Sequence, residues 1–147
     1  MLPQNKAAVA ILPVSVTNGA TATGPAIDTM GYDFATVDIV ASVADVVSNT
    51  LSVLRLQEAD VTNATSFANV SGGIGGTDFT IATNAYTSTA GQNIWKFNVD
   101  LRGRKRYLRV LASPQTTMIV GGVANMSRGE ESPITAAKSN ALNLIQI

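Results

Sequence analysis

Cysteine and histidine are both absent from the 147 residues, and charged and aromatic residues are few. Without cysteine there is no disulfide framework and no thiolate, and the redox compartment is left open. Without histidine as well, Ser-His-Asp and Cys-His nucleophilic arrangements and the usual zinc sites are excluded. Charged residues make up 14% of the chain against 46% hydrophobic ones, a balance that fits burial against neighbours better than life as a free monomer. Ten basic and ten acidic residues cancel, which argues against whole-protein attraction to nucleic acid or to an anionic membrane. No apolar run approaches the roughly 18 residues needed to span a bilayer. Residues 7–12 are too short for the core of a signal peptide. The expectation is a soluble protein not exported by that route, with no membrane partner. Its length suits a single domain that buries roughly 68–70% of its unfolded surface and needs no metal or disulfide.

What the chain does have is period-2 alternation. It is clearest in residues 94–112, where Trp95, Phe97, Val99 and Leu101 alternate with Lys96, Asn98 and Asp100. Arg102-Gly103-Arg104-Lys105 interrupts the pattern, and residues 106–112 resume it. This predicts a β-hairpin with its apolar side inside and its cationic bend projecting outward.

Other strands are expected over residues 7–16, 26–29, 31–40, 50–59, 67–70, 79–82 and 116–127. Pro13 confines the first to an edge or ends it. In the segment 31–40, Phe34, Thr36, Asp38 and Val40 face one way and Ala35, Val37 and Ile39 the other, so Asp38 requires a polar partner or solvent. Gly121-Gly122 suggests a bulge or a close backbone approach. The run 71–76, rich in glycine, reads as a flexible loop, and residues 42–49 as another. Short strands with turn signals about every ten residues indicate an all-β fold. It is an antiparallel β-sandwich, most plausibly a jelly roll, over residues 1–133. Residues 134–147 form a C-terminal tail, either an amphipathic helix or an extended arm.

The most chemical-looking feature is the cluster Arg102, Arg104, Lys105, Arg106 and Arg109, with Tyr107 inside it: five cations in eight residues. It could be a solvated hairpin tip, a protein-contact surface anchored by Arg and Tyr, or a phosphate site with a stacking ring. Asp28, Asp33, Asp38, Asp45, Glu58, Asp60 and Asp78 all precede it, which suits a basic patch meeting an acidic patch on a neighbouring subunit. The glycine run lacks the Gly-Lys-Ser/Thr of a phosphate-binding loop. Glu58/Asp60 and Glu130/Glu131 are carboxylate pairs by sequence, but nothing predicts a cleft between them or the ordered spacing of a calcium loop. Sequons at Asn63, Asn69 and Asn125 are expected by chance in a chain this rich in Asn, Ser and Thr. No catalytic set, metal site or cofactor is expected.

Leu54-Arg55-Leu56-Gln57-Glu58-Ala59-Asp60, followed by Phe67-Ala68-Asn69-Val70, resembles a segment of small virion proteins of tailed bacteriophages. The resemblance returns at Asp100-Leu101-Arg102-Gly103-Arg104-Lys105-Arg106-Tyr107-Leu108, and it runs over residues 7–130. It implies a jelly-roll-like protein that decorates or cements the capsid surface. Such a protein would be made in the host cytoplasm and would bind the major capsid protein as a homo-oligomer, often a trimer. On this reading Arg102, Arg104, Lys105, Arg106, Tyr107 and Arg109 are protein contacts. The apolar tail residues Leu142, Leu144, Ile145 and Ile147 would clasp a neighbouring subunit or the shell. Two rivals stand beside it: another virion role in the tail, connector or fibre, and a carbohydrate-binding sandwich. The latter usually needs exposed aromatics, and this chain has one Trp, three Tyr and four Phe.

Overall fold

A computed structural model describes residues 5–44, 49–82, 93–128 and 143–147. Its strands are β1 (Asn5–Val16), β2 (Ala22–Thr23), β3 (Ile27–Asp28), β4 (Phe34–Ala41), β5 (Leu51–Ala59), β6 (Ala68–Ile74), β7 (Ile94–Asp100), β8 (Tyr107–Pro114), β9 (Met118–Ser127) and β10 (Asn143–Gln146). A 3-10 turn, Ala64–Ser66, precedes β6 and is capped by the Asn63 side chain. One sheet has the order β1-β9-β4-β7-β10. The other has the order β2-β8-β5-β6, with β3 also on β8.

The antiparallel pairs are nested. β1 pairs with β9, β2 with β8, β4 with β7 and β5 with β6. The first and third of these pairs lie in one sheet and the other two in the second. A chain folded back on itself near residues 60–67 and then rolled up gives this order, and the fold is a jelly-roll β-sandwich.

The faces follow the alternation. Ala35, Val37 and Ile39 of β4, Trp95, Phe97 and Val99 of β7, Leu54 and Leu56 of β5, and Leu108 and Val110 of β8 are all buried in one core. Phe97 meets Phe79 edge-on, with ring centroids 6.0 Å apart. Asp38, on the outer face of β4, meets Lys96 of β7 at 3.0 Å, which supplies the partner its position requires. Pro13 sits in edge strand β1, where the register against β9 slips twice, between Val9 and Ile11 and between Ile11 and Val14. The strand therefore continues past the proline by bulging. The anticipated close approach is at Gly122, where a Cβ would stand 2.9 Å from the Asp38 carbonyl oxygen.

Four expectations are corrected. Residues 94–112 are not a hairpin. β7 pairs with β4 and β10, and β8 pairs with β2, β3 and β5, so the two strands lie in opposite sheets. Their apolar sides face each other across the core, and residues 101–106 arch over the end of the sandwich. Facing sheets lie about 10 Å apart, more than a two-residue turn spans.

The glycine run 71–76 is not a loose loop. Ser71, Gly72, Gly73 and Ile74 belong to β6, and Gly75 and Gly76 enter a tight turn. A Cβ on Gly73 would stand 3.2 Å from Leu56 Cβ, so glycine lets the strand close on the core.

The end of the tail does not reach out. β10 is extended, as one of the two alternatives held, but it runs parallel to β7 in its own sheet. Ile145 is 6% exposed, and Ile147 packs against the same core. Ile147 also donates its N–H to Asn98 O and accepts from Asp100 N. These two residues therefore complete their own subunit, because an edge strand left bare would expose both backbone groups and apolar surface. Leu144 takes part through its backbone, and Leu142 lies outside the described residues. Residues 79–82 form no strand beyond an isolated bridge between Gly75 and Phe79. The segment 45–48 and the pair Glu130/Glu131 are also outside the described residues.

Candidate functional site: the charged end of the sandwich

The arch 101–106 is built by two local bonds and one that ties its foot to the residue before β4. Asp100 Oδ1 accepts from Arg102 N at 3.0 Å, Arg104 N donates to Leu101 O at 3.0 Å, and Leu101 N donates to Asp33 O at 2.8 Å. Gly103 has φ +90°, a conformation that side-chain-bearing residues rarely adopt. Leu101 is buried at the foot of the arch, so the polar residues after it are turned outward.

The jelly-roll pairing brings the distant acids to these cations within one subunit. Asp28, at the end of β3, takes Arg106 in a two-pronged contact of 3.0 and 2.7 Å. Arg106 also lies over the Tyr107 ring, 4.9 Å from its centroid. Glu58, at the end of β5, accepts from Lys105 N at 3.1 Å and lies 3.9 Å from Arg104. Asp60 lies 3.8 Å from Lys105 Nζ. Asp100 holds Arg102 through 2.9 and 2.8 Å contacts, and Arg102 covers Phe34 at 5.1 Å. Arg109 stands apart from the arch, on the outer face of the second sheet. It donates to Gln57 Oε1 at 2.8 Å and stacks on Phe67 at 4.2 Å.

The expectation that the basic cluster awaits an acidic patch on another subunit is therefore corrected. Asp28, Glu58 and Asp60 precede the cluster in sequence yet meet it in space. What the end presents is a mixed-charge surface whose guanidinium groups are already oriented. All five cations are legible in the sequence, but their partners are not. The available signal was that Glu58 and Asp60 fall in one of the two motifs and four of the five cations in the other.

The pairing shows in the carboxylates. Arg106's guanidinium, helped by the Met30 N–H, lowers Asp28 from 3.8 to about 2. Arg102, through its side chain and its own N–H, lowers Asp100 likewise to about 2. Asp28 in turn raises Arg106. Because both acids are depressed in the folded state, the stability they add is complete above 3.8 and disappears as pH falls through about 2. The effect is small, since these are exposed pairs screened by solvent and salt. Urea unfolding from pH 5 down to 2 should show a salt-sensitive loss of stability that is shallower in Asp28→Asn. An identical slope in that variant contradicts the pairing.

Among the described residues, no group of three or more acidic, His or Cys side chains could hold a metal ion. Nor is any helix long and apolar enough to cross a membrane.

No protein-family model matches this chain, and no curated protein matches it. Among solved structures, the crystal structure of the SPBc2 prophage-derived protein YomS is similar to it. The TM-score is 0.46 and the identity 15%, over 85% of this chain and 96% of that one.

Proposed function

We propose that the chain is a non-enzymatic structural protein of a tailed-phage virion. In this reading it decorates the outside of the head and cements it, bridging copies of the major capsid protein. The observation that carries the reading is the meeting of the two motifs behind the resemblance. Residues 54–60 and 67–70 lie 30 or more positions before residues 100–108, yet they form one surface. Glu58 and Asp60 hold Arg104 and Lys105, β5 pairs with β8 along the junction, and Arg109, one residue past the second motif, stacks on Phe67 of the first. The resemblance thus falls on a single spatial unit.

Such a surface binds by geometry rather than chemistry. Oriented guanidinium groups and a tyrosine lose little side-chain freedom on contact, so more of the contact energy is kept. Arg102, Arg104, Arg106 and Tyr107 would meet the shell, with Lys105 and Arg109 at the margin. A homo-oligomer, a trimer in the form the resemblance implies, would place several such ends on one shell seam. Repetition over the shell then adds avidity.

The test is the copy number of this chain in purified particles, by quantitative mass spectrometry. The proposal expects on the order of hundreds of copies, enough for avidity over a shell. A count of roughly a dozen or fewer would move it to a connector or tail, and absence from the particle would reject the virion reading. Particles lacking the protein should release their contents at a lower temperature than complete ones.

A further inference from the structure

The outer face of the first sheet is apolar on one half. Val9 of β1 lies opposite Val123 of β9, and Val40 of β4 lies opposite Gly121 of β9 and Ile94 of β7. Ile119 follows on β9, and Leu12 projects from the bulge in β1. Val9, Leu12, Val40, Ile119 and Val123 are 42%, 67%, 48%, 56% and 47% exposed. The neighbouring half of the face is polar, with Thr36 donating to Asn98 across β4 and β7. At the boundary, Asp38 and Lys96 neutralise each other at 3.0 Å.

We infer that this half-face is where copies of the chain pack against one another. The occupant is a second copy for three reasons. First, among the described residues the patch is neutral, and its nearest charges, Asp38 and Lys96, are already paired, so a partner recognised by charge gains nothing there. An uncharged apolar surface is complementary to itself, which is what a symmetric contact needs. Second, the chain carries ten charges of each sign, so copies do not repel one another. Third, the area fits. A fully exposed aliphatic side chain presents roughly 100 Å² of apolar surface, and five at about half exposure present roughly 250 Å². With Ile94 and Pro13 at its edge, that suits the apolar core of a contact burying about 800 Å² per partner. Gly121 leaves the middle of the patch flat, as stacking of one sheet on another requires.

This inference is independent of the virion reading. Absence from particles would sink the latter and leave self-association untouched. The test is sedimentation of the full chain over a concentration series, with Val123→Lys and Val40→Lys. Val61→Lys serves as a control, because Val61 is 53% exposed on the turn after β5, away from this face. The parent and Val61→Lys should sediment as an oligomer. The two face variants should weaken association 100-fold or more while keeping the parent's circular dichroism and melting temperature. A parent that stays monomeric at about 100 µM overturns the inference, since interfaces of this size bind at micromolar or tighter. So does a folded Val123→Lys that assembles like the parent. A monomer whose Val40 and Val123 become protected only on added capsid shells would assign the face to the shell instead and equally overturn it.

Discussion

Trp95→Ala is expected to lower the unfolding free energy by about 3–5 kcal/mol, the range for removing a buried aromatic side chain. Trp95 is fully buried on β7, between β4 and β10, and its inward face meets the second sheet. No smaller neighbour can fill the space, because a core at crystal-like packing density relaxes only in part. A domain of this kind has about 5–15 kcal/mol in total, so the loss is a large share of it. At about 2–4 °C per kcal/mol for a chain this size, the melting temperature should fall by roughly 6–20 °C. Trp95→Phe separates packing from polarity. Among the described residues, Trp95 Nε1 is a buried donor with no acceptor. An unpaired buried donor costs about 1–3 kcal/mol, and phenylalanine removes that cost while keeping most of the bulk. The variant should therefore stay within about 1–2 kcal/mol of the parent. Equal losses in the two variants would contradict the orphaned donor.

Gly24→Ala is expected to cost about 1–3 kcal/mol, towards the upper end, by forcing the sandwich open along one side. Gly24 lies between β2 and β3 and donates its N–H to Val110 O at 2.8 Å. A Cβ there would overlap the carbonyl oxygen of Ala10 and stand 3.0 Å from its carbonyl carbon. Ala10 is fully buried on β1, so the obstacle is backbone and cannot turn aside. Relief requires β1 of one sheet to part from the β2–β3 connection of the other. Gly121→Ala is the contrast. Its added Cβ would find Pro13 Cγ at 3.3 Å and Pro13 Cα at 3.4 Å, a tight contact with an exposed edge strand rather than an overlap with buried backbone. Thermal melts of the two variants should differ by several degrees, and equal melts would deny the close approach at Gly24.

Where residue order alone succeeded, the information was local. The alternation in residues 34–40 and 95–101 assigned inward and outward faces correctly, and it required the partner for Asp38 that Lys96 supplies. Strand β5 was harder. Leu51, Leu54, Leu56 and Ala59 are all buried, which no single period-2 phase allows. A register slip between Leu51 and Val53 against β8 puts Leu51 out of phase with Leu54 and Leu56, while small Ala59 is buried at the strand's end. The glycine run at residues 71–76 was misread because composition looks the same whether glycine loosens a loop or lets a strand press on Leu56.

Residue order by itself determined that this chain would be strands with one oily side each, collected in a β-sandwich, because side-chain alternation is a property of neighbours along the chain. It also picked out the cations at 102–109. Only the tertiary structure decided what each strand bonds to. A hairpin and an arch between facing sheets share one pattern of alternation broken by glycine, and they differ only in hydrogen-bond partners far away in sequence. The same long-range pairing set Asp28 against Arg106 and Glu58 against Arg104, and it folded Ile145 into its own sheet.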